Sequence, residues 1–173
     1  MALLILTPLL LIIALLIRLQ DGGPSLFGQL RVGKDGCIFR MWKFRSMVIN
    51  AENLGGFSTA DRDPRITPIG RFVRRTSLDE LPQFLNVLAG DMSIVGPRPD
   101  VPAQRSLYSE DEWMVRLSVR PGITGLAQST MRSEATKEQR IAMDLEYAKN
   151  ASLALDVRII LMTIKQVIFK GGN

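Results

Sequence analysis

The sequence contains no histidine and only one cysteine, Cys37. Without histidine the commonest general base is missing, and with a single thiol a zinc site lacks its usual ligands. One cysteine also excludes an intramolecular disulfide and fits a reducing compartment. Neither a GxGxxG nor a Walker-type loop is present, so a Rossmann or P-loop nucleotide site has no support. There is no internal repeat or low-complexity tract that would suggest an array. Any chemistry this chain performs must therefore rest on carboxylates and cations.

Charge is also missing from residues 1–17, "MALLILTPLLLIIALLI", and the first ionisable side chain is Arg18. A straight helix of that length reaches about 25 Å, short of a hydrocarbon core of about 30 Å. Pro8 removes a helix hydrogen bond and disfavours helical geometry at Thr7, whose hydroxyl can satisfy a freed carbonyl. A re-entrant membrane hairpin over residues 1–20, a helix–break–helix with both ends on one side, accounts for both features. A cleaved signal peptide fits less well, lacking a basic leader and a clear small-residue cleavage site, and a buried soluble helix ranks between the two.

What is present suits one compact domain: 173 residues, 46% of them hydrophobic, with a net charge of +5. The positive balance points to polyanionic partners, whether nucleic acid, an anionic lipid surface or phosphorylated substrates. "QDGGPS" marks the exit from the apolar segment, and residues 21–173 form the remainder. Around "KDG" two β-prone runs predict a hairpin turning at Asp35 and Gly36, with Phe39 and Met41 on one face and Arg40 and Trp42 on the other. Strict alternation then places Lys43 and Arg45 on the Phe39 face, where an anion or a strand end must meet them. "NAENLGGFSTADRDPRITPIG" reads as a loop or short helical turns, forming a mobile flap. "IGRFVRRTS" follows as a short amphipathic helix with Ile69, Phe72 and Val73 against Arg71, Arg74 and Arg75, which suits a phospholipid surface or a plain solvated face.

Asp79 and Glu80 stand together in "TSLDELPQ", between that basic run and the apolar "FLNVLAG". The simplest reading is a capping box, with Ser77 as N-cap and Glu80 three residues on. A short helix then runs through Leu88 to a glycine cap at Gly90. Arg98, fixed between Pro97 and Pro99, is held on a stiff loop suited to a bidentate grip on phosphate, although such turns also hold idle arginines. Arg120 precedes the turn at Pro121, Gly122 and Gly125 with a similar logic. Two helices close the chain, one ending near Asn150 and one stopped by Gly171 and Gly172. The second carries a stripe of Val157, Ile160, Leu161, Ile164 and Ile168, widened by Ile159 and Phe169, that needs an apolar partner.

"KFRSM", "TSLDELPQFLNVLAGDMSIVGPRP" and "VRPGITGLAQ", in this order after an apolar segment, resemble the bacterial sugar transferase family, the monotopic membrane phosphoglycosyl transferases. "DLEYAKNASLALDVRII" is similar to the family's closing pattern, with Asp144, Tyr147, Asn150 and Asp156 at matching positions. The chain departs in starting almost inside its apolar helix, as a minimal or shortened version would, and in having Thr7 where many members have serine before Pro8. The resemblance implies an α+β fold in which a re-entrant membrane helix, a small β-hairpin and amphipathic interfacial helices surround a compact catalytic domain. It implies transfer of a sugar-1-phosphate from a UDP-sugar to polyprenyl phosphate, releasing UMP. Asp79 would be the nucleophile, forming an aspartyl-phosphosugar, and Glu80 would hold Mg²⁺ with it or take a proton. Lys43, Arg45, Arg75, Pro97, Arg98 and Arg120 are the candidates for binding substrate. The expected setting is the cytoplasmic face of a bacterial inner membrane, against inner-leaflet phospholipid, with a homodimer admissible and no nucleic acid. A non-catalytic anchored domain and a basic nucleic-acid-binding protein are the competing classes; intact Asp79 and Glu80 argue against the first, and the apolar segment with no recognition helix against the second.

Overall fold

The computed structural model describes residues 2–54, 63–131 and 135–170. Helix α1 (Ala2–Asp21) leads into strands β1 (Leu26–Val32) and β2 (Ile38–Phe44). Then come α2 (Pro68–Arg75), α3 (Gln83–Ala89), β3 (Ser93–Val95), α4 (Glu110–Leu117), β4 (Gly122–Thr124), α5 (Leu126–Thr130), α6 (Lys137–Asn150) and α7 (Leu153–Lys170). The class is α+β. Residues 55–62 of the expected flap lie outside the described residues.

Two helices separated by a break were expected at residues 1–20, and the structure has one element, α1, with Pro8 inside it. A single proline removes one bond of the ladder and leaves the turns on either side intact. Among the described residues no helix is long and apolar enough to cross a membrane. Ile13 and Ile17, one turn apart, pack with Phe44 and Val73 and so fasten α1 to β2 and α2. The opposite face leaves Leu11, Ile12, Leu15 and Leu19 exposed.

The hairpin forms as its sequence predicts, with Val32 opposite Ile38 and Leu26 opposite Phe44. Asp35, at a positive φ of 55°, and Gly36, at 81°, turn the chain. Phe39 and Met41 are buried with Met92, while Arg40 is exposed. Alternation slips at the strand's end, where Phe44 is buried and Lys43 only half-buried. The open edge of β2 is closed by a side chain: the Asn86 amide accepts from Trp42 N at 3.0 Å and donates to Arg40 O at 2.8 Å. This bond pair binds β2 to α3 as another strand would.

Sequence reading found no strands after the hairpin, yet β3 and β4 pair in parallel, Ser93 with Gly122 and Val95 with Thr124. Each strand has only three residues, too few for alternation to register. Glycine makes the pairing possible through closeness: a Cβ on Gly122 would lie 2.1 Å from Gly96 N, and one on Gly96 would lie 2.3 Å from Arg120 O. The "GPRP" and "RPGITG" loops are thus pressed backbone to backbone.

The expected apolar stripe of α7 is buried along one edge only, at Ile159 and the partly buried Ile160. Ile159 is the fully buried position, packed with Val95 and Tyr147, while Val157, Leu161 and Ile164 are exposed. Thr163 hydrogen-bonds Thr124 at 2.7 Å, so a polar contact with β4 fixes the rotation of the helix. The side chains of Ile168 and Phe169 lie outside the described residues.

Candidate active site

Asp79 and Glu80 lie in a short 3₁₀ turn, Leu78–Glu80, between α2 and α3. The capping box expected there does not form. Ser77 sits in the left-handed region at φ 55°, its side chain makes no capping bond, and the turn is not the first turn of α3. Free of that duty, the Glu80 carboxylate reaches across the fold. Its Oε1 accepts from Lys43 Nζ at 2.9 Å and from Arg98 Nη2 at 2.8 Å, joining β2, the 3₁₀ turn and the loop after β3. The anion demanded by Lys43 at the strand's end is therefore Glu80.

Asp79 is different in kind. It is 9% exposed, and among the described residues it makes no hydrogen bond or ion pair. Burial pushes its carboxyl above the ordinary value, as does the neighbouring Glu80, while Lys43, Arg74 and Arg98 pull it back. For Glu80 burial acts in the same direction but is overcome, and Arg98 and Lys43 hold it well below the usual carboxylate range. Two adjacent carboxylates are thus divided into one neutralised and anchored, and one buried and unspent. Burial and Arg98 lower Lys43, whereas Glu80 raises Arg98.

Arg98 stands on a tightly held segment. Four consecutive carbonyls are gripped from four directions. Pro97 O accepts from Gly122 N at 3.0 Å, Arg98 O from Arg116 Nη2, Pro99 O from Arg31 Nη1 at 2.7 Å and Asp100 O from Val32 N at 2.9 Å. Behind the loop, Arg116 lies 3.1 Å from Asp144 and 3.2 Å from Asp100, and Tyr108 OH donates to Asp100 at 2.6 Å. One cation serves two carboxylates there, and burial pushes Asp144 up to about 6 against the pull of Arg116. The closing pattern has a second part: Tyr147 OH bonds Val95 O at 3.2 Å and Asp156 at 2.7 Å, bracing β3 from below.

The structure brings Asp79, Glu80, Lys43 and Arg98 together, with Pro97 in the loop beneath Arg98. Other candidates are placed elsewhere. Arg45 ties the end of α1 to the hairpin base, donating from Nη1 to Asp21 at 2.6 Å, from Nη2 to the other Asp21 oxygen, and from Nε to Pro24 O at 2.7 Å. Arg120 donates to Gly90 O at 2.9 Å, closing the C-terminus of α3. Arg75 is exposed at the end of α2 and makes no ion pair among the described residues. Thr7 and Pro8 lie on exposed stretches of α1.

Two site cations were not singled out for the site from the sequence. Arg74, read there as facing lipid, instead donates from Nε to Ser46 Oγ at 2.7 Å and is among the cations that lower Asp79. Arg31 lies on β1 beside the Arg98 loop. A basic helix gives no signal of which arginine turns inward; for Arg31, its place in an otherwise β-prone strand was the available sign. Among the described residues no three His, Cys, Asp or Glu side chains cluster to hold a metal.

The bacterial sugar transferase family matches residues 1–170. The chain is 44% identical over 176 residues to the UDP-glucose:undecaprenyl-phosphate glucose-1-phosphate transferase of Escherichia coli K12, covering 98% of this chain and 37% of that protein. It is 47% identical over 178 residues to the undecaprenyl-phosphate glucose phosphotransferase of Komagataeibacter xylinus, covering 96% and 34%. Against the exopolysaccharide production protein PSS of Rhizobium leguminosarum bv. phaseoli identity is 46% over 183 residues, covering 98% and 90%. The chain thus spans little more than a third of the first two relatives and most of the third.

Proposed function

The chain belongs to the bacterial sugar transferase family, and we propose that it transfers a sugar-1-phosphate from a UDP-sugar to undecaprenyl or another polyprenyl phosphate. The observation that carries this reading is Asp79: a buried carboxylate with no hydrogen-bond partner among the described residues, beside an anchored Glu80 and amid Lys43, Arg74 and Arg98. Phosphoryl transfer needs positioning and charge neutralisation above all, and cations supply both without histidine.

In the first half-reaction an Asp79 oxygen attacks the β-phosphorus of the UDP-sugar. The bond to the bridging oxygen breaks, UMP departs, and an aspartyl-phosphosugar remains. An oxygen of the polyprenyl phosphate then attacks the same phosphorus, giving polyprenyl-diphosphate-sugar and restoring the carboxylate. Desolvation raises the basicity of Asp79 and with it its nucleophilicity, and the flanking cations receive the phosphate oxygens. Glu80, held low by two cations, is a poor base, which favours its anchoring and metal-binding roles over proton transfer.

Mg²⁺ suits this site because it takes one or two protein carboxylates and fills its other positions with water and substrate phosphate oxygens. Both bonds to Glu80 fall on Oε1, so Oε2 and the Asp79 carboxylate are the groups that would hold the ion. When bound it would neutralise diphosphate charge.

The exposed apolar faces of α1 and α7 and the net charge of +5 support residence at an anionic membrane surface. In this reading α1, kinked at Pro8, dips into the membrane and returns without crossing it, making the protein monotopic, and residues 21–173 work on the cytoplasmic face of the bacterial inner membrane, at an early step of polysaccharide synthesis. The test is UMP release from a panel of UDP-sugars with and without undecaprenyl phosphate. Release from none of them, by chain that binds vesicles and is folded, would overturn the reading.

A further inference from the structure

Arg31 is a half-buried cation that makes no ion pair among the described residues. Nη1 donates to Pro99 O at 2.7 Å, Nη2 donates to Gln29 Oε1 at 2.6 Å, and Nε is buried with no partner. Both acceptors are neutral, and among the described residues no carboxylate forms an ion pair with it. A charge withdrawn from water is normally paired, because neutral hydrogen bonds recover only part of what its hydration gave.

A like charge nearby makes the arrangement costlier. Arg98 immediately precedes the proline whose carbonyl Arg31 grips, so two guanidiniums flank one short stretch of backbone. Burial and then the repulsion of Arg98 draw Arg31 down to about 10, against the longer-range pull of Asp100 and Glu80, neither of which pairs with it. A tie to Pro99 O needs only a donor, and a neutral glutamine would serve. The positive charge is therefore surplus to the loop's architecture. Arg98 in turn is already shared with Glu80 at 2.8 Å.

We propose that Arg31 and Arg98 together form a phosphate-binding subsite beside the Asp79 and Glu80 pair, with a substrate phosphate as the counter-ion that Arg31 lacks. The ligand class is a phosphate or diphosphate group, which matches the remaining N–H groups of a guanidinium fork. Its source rests on the transferase reading, since the nucleotide diphosphate-sugar and the lipid phosphate both carry that group. The subsite itself does not depend on turnover.

The experiment compares Arg31→Gln, which keeps a donor for Pro99 O and loses the charge, with Arg31→Lys, which keeps the charge and loses the fork. Pyrophosphate is titrated into each full chain by calorimetry at two salt concentrations, with the ligand-free melting temperature as the fold control. Arg31→Gln should bind about tenfold more weakly and with a flatter salt dependence, the loss of one charge-assisted contact, while Arg31→Lys recovers most of the affinity. Glutamine binding as tightly as arginine, or lysine failing as badly as glutamine, would overturn the proposal and leave Arg31 a loop tie. If Arg31→Gln does not fold, phenylglyoxal labelling of the unmutated chain replaces it. Protection of Arg31 by pyrophosphate then supports the subsite, and unchanged labelling overturns it. UDP-sugar affinity and the KM for lipid phosphate, measured on the folded variants, assign the source: a change in the first alone places the donor diphosphate there, and in the second alone the acceptor. Pyrophosphate binding through Arg31 in a chain that releases no UMP would sink the transferase reading and leave the subsite standing.

Discussion

Asp79 and Glu80 are neighbours in the chain with opposite electrostatic surroundings. Glu80 is clamped by Lys43 and Arg98 through one oxygen, while Asp79 is buried without a partner. Burial raises both carboxyls, and only Glu80 has contacts close enough to reverse the effect. Division of labour between paired carboxylates arises in this way, from environment and not from residue type.

Replacement of Asp79 by asparagine should abolish turnover without unfolding the protein. The side chain has no hydrogen bond to lose among the described residues, and the burial of its charge outweighs the pull of Lys43, Arg74 and Arg98. The melting temperature should therefore hold or rise. Intact-protein mass spectrometry after mixing with UDP-sugar should show a sugar-phosphate adduct on the wild type and none on Asp79→Asn. An adduct that persists in the variant would remove Asp79 from the covalent role.

Glu80→Gln should be the destabilising member of the pair. It turns two charge-assisted bonds into neutral ones and leaves Lys43 and Arg98 facing each other, at a cost of about 2–3 kcal/mol. The sign of the pH effect follows from the folded pKa being depressed. Glu80 contributes stability that is present above its unfolded value of 4.5 and is lost as pH falls below it. Urea denaturation between pH 7 and pH 3 should show the wild type losing more stability than Glu80→Gln; equal losses would remove the clamp from the account.

Asp144 should have the reverse dependence. Its folded pKa is raised from 3.8 to about 6, so its protonated form favours the fold, and that contribution is lost as pH rises between these values. Asp144→Asn keeps an oxygen for Arg116 and removes the titration. The variant should therefore lack the decline seen between pH 4 and pH 6.5 in the wild type, measured by urea midpoints, and should be at least as stable at neutral pH. A decline of the same size in both would mean that Arg116 keeps Asp144 ionised.

What could be read from the sequence depended on the range of the interactions. The hairpin was legible because its turn and its Phe39 and Met41 face are local. The glycine stop at Gly90 was likewise local, and the structure gives it φ 86°. Lys43 could be flagged only as a cation in need of an anion, since Glu80 is 37 positions away and its capture depends on the chain's course. The capping box failed because Ser77 and Glu80 have the right spacing for it but a turn of the wrong kind between them. β3 and β4 were hidden by their length, and the glycines between them looked like turn residues when their purpose is close approach. The rotation of α7 was set by Thr163 meeting Thr124, a pairing that no periodicity reveals.

The exposed side of α7 offers a test of membrane residence that leaves the site alone. Leu161 is 62% exposed and Ile164 48%, so replacing both by glutamate disturbs little packing and should cost less than about 1 kcal/mol. A charged pair on a face meant for lipid should nevertheless weaken co-sedimentation with anionic vesicles severely. Vesicle binding unchanged in the double variant would exclude this face from the lipid contact.

Gly122→Ala probes the junction that carries Arg98. The new Cβ would stand 2.1 Å from Gly96 N and 2.4 Å from Thr124 O, contacts with backbone that no side-chain rotation can relieve. The β3 and β4 pair must separate, and with it goes the bond from Gly122 N to Pro97 O that holds the proline loop. A destabilisation of about 3 kcal/mol is expected, the upper range for overpacking. Arg98 should then lose its fixed approach to Glu80. At a temperature where the variant is still folded, UDP-sugar binding should fall further than the loss of folded protein explains, because the loop that presents the guanidinium has moved. Binding per folded molecule equal to that of the wild type would show that Arg98 is held by its other three carbonyl ties alone.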